Sequence, residues 1–319
     1  MKKNNIMLIL ATILIIIGFS IFMIALSINK WDFSKLGSSK YETNIYEITE
    51  EFEDIIINSD TFDIYFELSN DNTCKVICVE EEKYKHDINV QNNKLNIDLV
   101  NNKKWYDNIG FGFINTKITI YLPNNKYNSL FIDLSTGDIE ISNQFQFYMI
   151  DMNLSTGDVK CMANATSDIN ITTSTGDVKL SDLSSNNINI STSTGTVKLK
   201  NVNCGGNINI KVTTGDVKLE NIKCDTITSS GSTSDVLLKN VIVINKVDIK
   251  RSTGDVRFEQ SDAKEIKVIT TTGNIRGTLL TEKIFITDSN TGYIEVPKSL
   301  TGGLCEIKTN TGDIVISIK

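Results

Sequence analysis

Two patterns of hydrophobic and polar positions divide the chain. From Ile6 to Ile28 there are 23 consecutive residues without a charge. At about 1.5 Å per residue, a helix of that length crosses a hydrocarbon layer of about 30 Å. Beyond residue 45 the apolar positions recur in short strand-like runs, as in Ile55-Ile56-Ile57, Phe62 to Leu68, Val76 to Val79, Leu95 to Leu99 and Ile118 to Tyr121. Successive side chains of a strand face opposite sides, so a period of two predicts half-buried strands. The expectation is one transmembrane helix followed by an all-β body.

The apolar run admits one other use. Ala25-Leu26-Ser27 puts small residues at cleavage-like positions, but the run exceeds the usual signal-peptide core of about 7–15 residues. Length therefore favours a retained anchor through residues 6–28. Lys2 and Lys3 favour a cytoplasmic N-terminus with the body outside, a bias that Lys30, Lys35 and Lys40 on the other flank reduce. No cysteine follows the run, so a lipoprotein anchor is not indicated.

The second half of the body repeats itself. A Thr-Gly motif recurs with its glycine at 137, 157, 176, 195, 215, 254, 273, 292 and 312, and Ser234 fills the gap, giving spacings of 19 or 20 throughout. Thr precedes that position in all ten units, and a β-branched residue follows two positions later, from Ile139 through Val197 to Ile314. Pairs such as Ile169/Ile171, Ile188/Ile190 and Ile208/Ile210 continue the period of two upstream. Each unit is expected to hold two short strands around a corner, where Gly permits positive φ and short polar side chains bond nearby backbone. A corner could instead close a hairpin and make a meander. Identical residues in register at a fixed period favour stacked coils. The fold class is thus a single-stranded β-solenoid of about ten coils, with the right-handed winding expected of parallel connections. At about 4.8 Å per coil its repeat region would be roughly 48 Å long.

This divides the chain into a short cytoplasmic tail (1–5), the helix (6–28), a linker (29–44), an N-terminal β cap or starting coils (45–126) and the repeat domain (127–319). A solenoid end exposes unpaired strand edges. At the C-terminus, Ile314 to Lys319 leaves no evident cap, so that edge is expected to pair with another molecule.

Charge narrows the partners. Asp and Glu outnumber Lys and Arg by 39 to 32, for a net charge of −7. No basic field is available to hold nucleic-acid phosphates. The six cysteines lack compact zinc spacing, so no metal and no cofactor is expected, and most read as small buried hydrophobes. Cys204 and Cys224, one repeat apart, could lie on adjacent coils and pair.

Within the repeat, the residue after the corner is Asp in seven units: Asp138, Asp158, Asp177, Asp216, Asp235, Asp255 and Asp313. Stacked carboxylates repel. The expected arrangement is that each Asp caps its own corner, while Lys160, Lys179, Lys198, Lys218, Arg257 and Arg276, two residues on, supply compensating charge on the same face. A row of cation sites is the alternative, without the calcium-binding nonapeptide pattern to support it. No catalytic residues stand out. The single histidine, His86, follows Glu80-Glu81-Glu82 in a stretch that reads as a solvated loop. The least repeat-like segment is aromatic. Trp105, Tyr106, Phe111 and Phe113 read either as a hydrophobic cap or as a recognition loop for an envelope glycan, protein or lipid headgroup.

Serial S-T-G-D-[IV]-x-[IL] units, intact at Ser135–Ile141 and Ser174–Leu180 and partial at Ser155–Asp158, follow a strand ending in Ile120-Tyr121-Leu122-Pro123. In these features residues 45–319 resemble the bacterial "putative adhesin" domains, including LiaG-like proteins. The resemblance implies a β-solenoid at the cell surface and a role in adhesion or envelope stress. It carries over no catalytic residues. Two functions from different classes remain: a non-catalytic binding or adhesion module, and a structural or regulatory scaffold that self-associates through strand edges. A polysaccharide-acting enzyme is a distant third.

Overall fold

The computed structural model describes residues 2–28, 30–31, 40–103 and 116–319. Lys2–Ile28 form one helix, α1, whose apolar side chains from Ile6 onward are mostly exposed. Nearly everything after it is strand. The first seven strands are β1 (Tyr41–Ile48), β2 (Asp54–Thr61), β3 (Asp63–Leu68), β4 (Cys74–Glu81), β5 (Tyr84–Gln91), β6 (Lys94–Asn101) and β7 (Lys117–Leu122). The repeat coils follow, paired parallel and in register, so that Val159, Val178, Val197, Val217, Val236 and Val256 form one buried row. The β-solenoid expected from the repeat is the observed architecture.

The glycine column has a steric cause. At Gly176, φ is +148°, and an added Cβ would lie 1.9 Å from the carbonyl oxygen of Gly157 in the adjacent coil. No side chain fits such an approach. The column ends at a unit without glycine. Thr61 pairs with Thr136 and Ile64 with Ile139, so Thr61-Phe62-Asp63-Ile64 is a further coil in which Phe62 takes the glycine position. Beyond Phe62 stand the rings of Tyr84 and His86, at centroid distances of 6.1 and 4.5 Å. Side chains there leave room for a phenyl group that a backbone would exclude.

Five successive coils have a second bend that the strand pattern does not announce. Asp182, Asn201, Asn221, Asn240 and Gln260, all six residues after the corner position, adopt positive φ between 50° and 57°. Asn and Asp tolerate that region better than other side chains. The bend resets the alternation, so that Leu180 and Ser181 are both buried, and the expected second strand becomes two short faces. The bend residues also hold one another. Asn201 donates to Asp182 at 2.7 Å, Asn221 to Asn201 at 2.8 Å and Asn240 to Asn221 at 3.1 Å.

Stacking order departs from chain order at both ends. The β2–β3 coil lies between β6–β7 on one side and the first glycine coil on the other. At the far end, the last coil (Gly303–Thr311 and Ile314–Ile318) is inserted between the coil of Gly273 and the coil formed by Lys283–Thr291 and Ile294–Glu295. This corrects the expected open edge: Ile314 is fully buried, and the outermost strands are Lys283–Thr291 and Ile294–Glu295. Coils that share one pattern can pair with any neighbour carrying it, and residues 296–302 are long enough to lead the chain back past one layer.

The N-terminal end is finished by antiparallel strands. β4 pairs with β1 and β7, and β5 pairs with β6. His86 is therefore not in a solvated loop. It sits on β5 at 3% exposure, because β5 crosses the end of the stack and turns this side chain toward Phe62.

Candidate functional site

The Asp column runs along the outside of the corners, and its carboxylates reach between coils rather than to their own turns. Asp138 accepts the backbone N–H of Asp158 at 2.8 Å, Asp158 that of Asp177 at 2.7 Å, and Asp177 that of Thr196 at 2.7 Å. Asp235 does the same for Asp255, and Asp255 for Asn274. A corner amide has no ladder partner of its own, so a carboxylate one coil away satisfies it and fixes the register. The basic column compensates in part. Lys218 contacts Asp216 at 3.0 Å and Arg276 contacts Asp313 at 2.6 Å, whereas Lys160 pairs with Glu140 and Arg257 with Glu259. The backbone of Tyr293 and the Arg276 guanidinium together hold Asp313 below the usual carboxylate range.

Trp105, Tyr106, Phe111 and Phe113, the candidate recognition loop, lie outside the described residues. All six cysteines are free thiols and buried, Cys204 and Cys224 included.

The surface hollows among the described residues include two that differ sharply in lining. A cleft of about 850 Å³ opens at the N-terminal end, lined by Glu47, Glu50, Glu51, Glu53, Asp71 and the single base Lys126. Phe52 stacks on Tyr127 at its wall, with ring centroids 6.0 Å apart. Hydrogen bonds from Thr73 and Ser69 hold Asp71 down at about 2, and acidic side chains outnumber basic ones along this cleft. The second feature is a shallow polar lane where Asn189 donates to Asn170 at 2.8 Å and Asn209 to Asn189 at 2.9 Å, flanked by Thr172, Ser191 and Lys211.

Beneath the cap, sequence reasoning missed a buried polar cluster. Cys74, Val76, Cys78 and Glu80 form the inward row of β4, and Glu80, with no exposure, stands where the alternation calls for an apolar residue. Its Oε2 accepts from the His86 ring Nδ1 and from the His86 backbone N–H, both at 2.8 Å, and its Oε1 accepts from Asn44 Nδ2 at 2.7 Å. Burial pushes this carboxyl up, but these hydrogen bonds outweigh it and hold the group below its ordinary value. His86 Nε2 meets Ser59 Oγ at 2.9 Å. The signal was present in the unbroken alternation from Cys74 to Glu80, which the run of three glutamates obscured.

The family model of Toastrack DUF4097 matches residues 52–211 and again 205–319. The chain belongs to this family. The two matched segments together cover nearly the whole Toastrack body, from just before the β2–β3 coil to the end. Among solved structures, a protein from Parabacteroides distasonis ATCC 8503 described as a putative adhesin aligns with a TM-score of 0.54 at 12% identity, covering 76% of this chain and 98% of its own. A second protein from that organism, described as a putative lipid binding protein, aligns with a TM-score of 0.51 at 18% identity, over 76% of this chain and 98% of its own. At these identities the likeness shows a common fold. No curated protein sequence matches the chain.

Proposed function

We propose that this Toastrack protein is a non-catalytic binding or adhesion-like module held at the cell envelope by its N-terminal helix, with the amino terminus cytoplasmic and the solenoid outside. The observation that carries this is the pairing of a 23-residue apolar helix with a body whose side-chain rows recur at fixed spacing on a rigid stack. Rows of this kind suit an extended ligand that repeats along its own length, such as an envelope glycan or the surface of another protein. Neighbours of the same fold described as a putative adhesin and a putative lipid binding protein support a binding role.

Catalysis finds little support. Ser59, His86 and Glu80 follow the order of an acyl-transfer relay, but Ser59 shares its strand face with the buried Ile55 and Ile57 and so points into the stack. A specific observation favours a second reading, a scaffold that self-associates. The outer edge of Lys283–Thr291 carries exposed Ile284 and Ile286, and Tyr293 and Leu300, further along the chain, are exposed as well. Unpaired apolar edges template strand addition.

The test uses the full-length protein in nanodiscs, passed over immobilised envelope polysaccharide and over the same protein. Retention on the polysaccharide supports the binding module. Retention only on itself moves the conclusion to the scaffold, and release of shortened glycan overturns the non-catalytic reading.

A further inference from the structure

The capped end contains a cluster that neither a binding surface nor the repeat requires. Cys78 Sγ, one Glu80 carboxylate oxygen and one His86 ring nitrogen lie within 4.8 Å of one another, and all three residues are buried. Sequence and topology bring them together. Cys78 and Glu80, two apart on β4, share its inward face, and the tight connection at residues 82–83 returns the chain so that His86 on β5 faces them. We propose that Cys78, Glu80 and His86 form a site for one divalent transition-metal ion of borderline softness, of which Zn²⁺ is the type.

Three features carry the assignment. The donor set is one thiolate, one carboxylate and one imidazole, the types that bind Zn²⁺ at about 2.3, 2.0–2.2 and 2.0–2.1 Å. Ligands at such distances around a tetrahedral ion stand about 3.4 Å apart. The His86 Nδ1 to Glu80 Oε2 separation is 2.8 Å, so the pair opens by about 0.6 Å to admit an ion.

An outer shell is already in place. Metal-bound imidazoles use their second nitrogen in a hydrogen bond, and metal-bound carboxylates are hydrogen-bonded in turn. Ser59 Oγ stands 2.9 Å from His86 Nε2, and Asn44 Nδ2 donates to Glu80 Oε1 at 2.7 Å. With the ion on Nδ1, the ring proton moves to Nε2 and is donated to Ser59, while Cys78 gives up its thiol proton. Each outward atom of the first shell therefore has a partner that fixes its direction.

Charge completes the case. A dication with one thiolate and one carboxylate is neutral, and a neutral assembly is the one that burial tolerates. An inward carboxylate in a row of apolar residues contradicts the local pattern, and such contradictions gather at functional or strained sites. The ion would join β4 to β5 and lock the antiparallel strands over the end of the stack.

The experiment titrates the full chain in detergent, reduced and freed of metal, with Co²⁺ and then Zn²⁺. Expected are one equivalent of Co²⁺ bound with a thiolate-to-metal charge-transfer band, displacement by Zn²⁺, and a melting temperature raised by the ion. C78S abolishes the band. S59A and N44L keep the band but weaken binding by about 10–100-fold, as outer-shell partners do. If wild-type protein takes up no Co²⁺, or takes it up without the thiolate band, the proposal falls, and this measurement decides even if a variant fails to fold. A folded C78S variant that keeps the band also overturns it, because another cysteine is then the ligand.

Discussion

The two ends of the stack solve the same problem differently. Where the body begins, the bottom coil of β6 and β7 is covered by antiparallel strands, β5 on one and β4 on the other. At the far end, among the described residues, Lys283–Thr291 pairs with Gly303–Thr311 and Ile294–Glu295 with Ile314–Ile318, each on one side alone. Ile286 is 50% exposed there and Leu300 94%. Closing a solenoid requires the chain to leave the repeat and reverse direction, and only the irregular N-terminal sequence does so. The far end is made from repeat units and inherits their open edge. Both ends nevertheless bury the coil nearest in sequence to a terminus of the body, and this resists fraying of the first and last coils.

The largest effect expected separates the middle of the stack from its open end. A Cβ at Gly176 would meet the Gly157 oxygen at 1.9 Å, and one at Gly292 the Gly312 oxygen at 2.0 Å. The clash is the same but the escape is not. Gly176→Val has coils on both sides and should cost about 3–5 kcal/mol, lowering the main thermal midpoint. Gly292→Val can be relieved by lifting one coil, so the midpoint should stay while amides of residues 283–295 lose hydrogen-exchange protection. Equal midpoints for the two variants would show that the far end is not separable.

At the closed end, Phe62 links the glycine column to the cap. Phe62→Ala removes a ring that is 1% exposed and packs against His86 and Tyr84, and about 3–5 kcal/mol should be lost in chemical denaturation. A loss under about 1 kcal/mol, the scale of a surface change, would mean that the cap does not rest on this side chain.

How much of this the sequence makes legible depends on what the pattern encodes. The corner is legible because close backbone approach demands glycine at each step, and the demand recurs every 19 or 20 residues. The order of the coils is not, because every unit presents the same rows and period alone cannot name its neighbour. The Phe62 coil escapes an alignment on glycine because its corner position holds a ring packed against the side chains of Tyr84 and His86. The bend at Asn201 and its equivalents reads as ordinary polar alternation, since nothing in an asparagine's polarity reports its φ. The cluster at Glu80 and His86 is concealed by its neighbours, half-buried Glu81 and exposed Glu82, that make a buried carboxylate look solvated.

The open end should also be tested as a surface. Ile284→Lys with Ile286→Lys places two charges on the outer strand and should change stability by no more than about 0.5 kcal/mol each, as at other exposed positions. If that edge joins molecules, concentration-dependent association of the full chain seen by light scattering should vanish in this variant. Wild-type protein that stays monomeric at high concentration would show the edge to be open but unused.

The smallest effect is a pH dependence confined to the inserted last coil. Glu306 on Gly303–Thr311 contacts Lys267 of the coil beneath and Lys308 of its own strand, each at 2.8 Å. Lys267 first, and then Lys308, hold its carboxyl down at about 2, from an ordinary value of 4.5. A depressed folded-state value means that the contribution is complete above about 4.5 and disappears as pH falls toward 2. Exposed ion pairs contribute little, so the global midpoint is a poor detector. Protection factors at residues 303–311 should instead fall between pH 4.5 and 2 relative to the mid-stack coil of residues 187–204. The cap is an unsuitable reference, because Asp71 beside it is also held at about 2 and titrates in the same window. In Glu306→Gln the drop should be absent, with the lower protection already present at pH 7. If the drop persists in that variant, a group other than Glu306 anchors the last coil in this pH range.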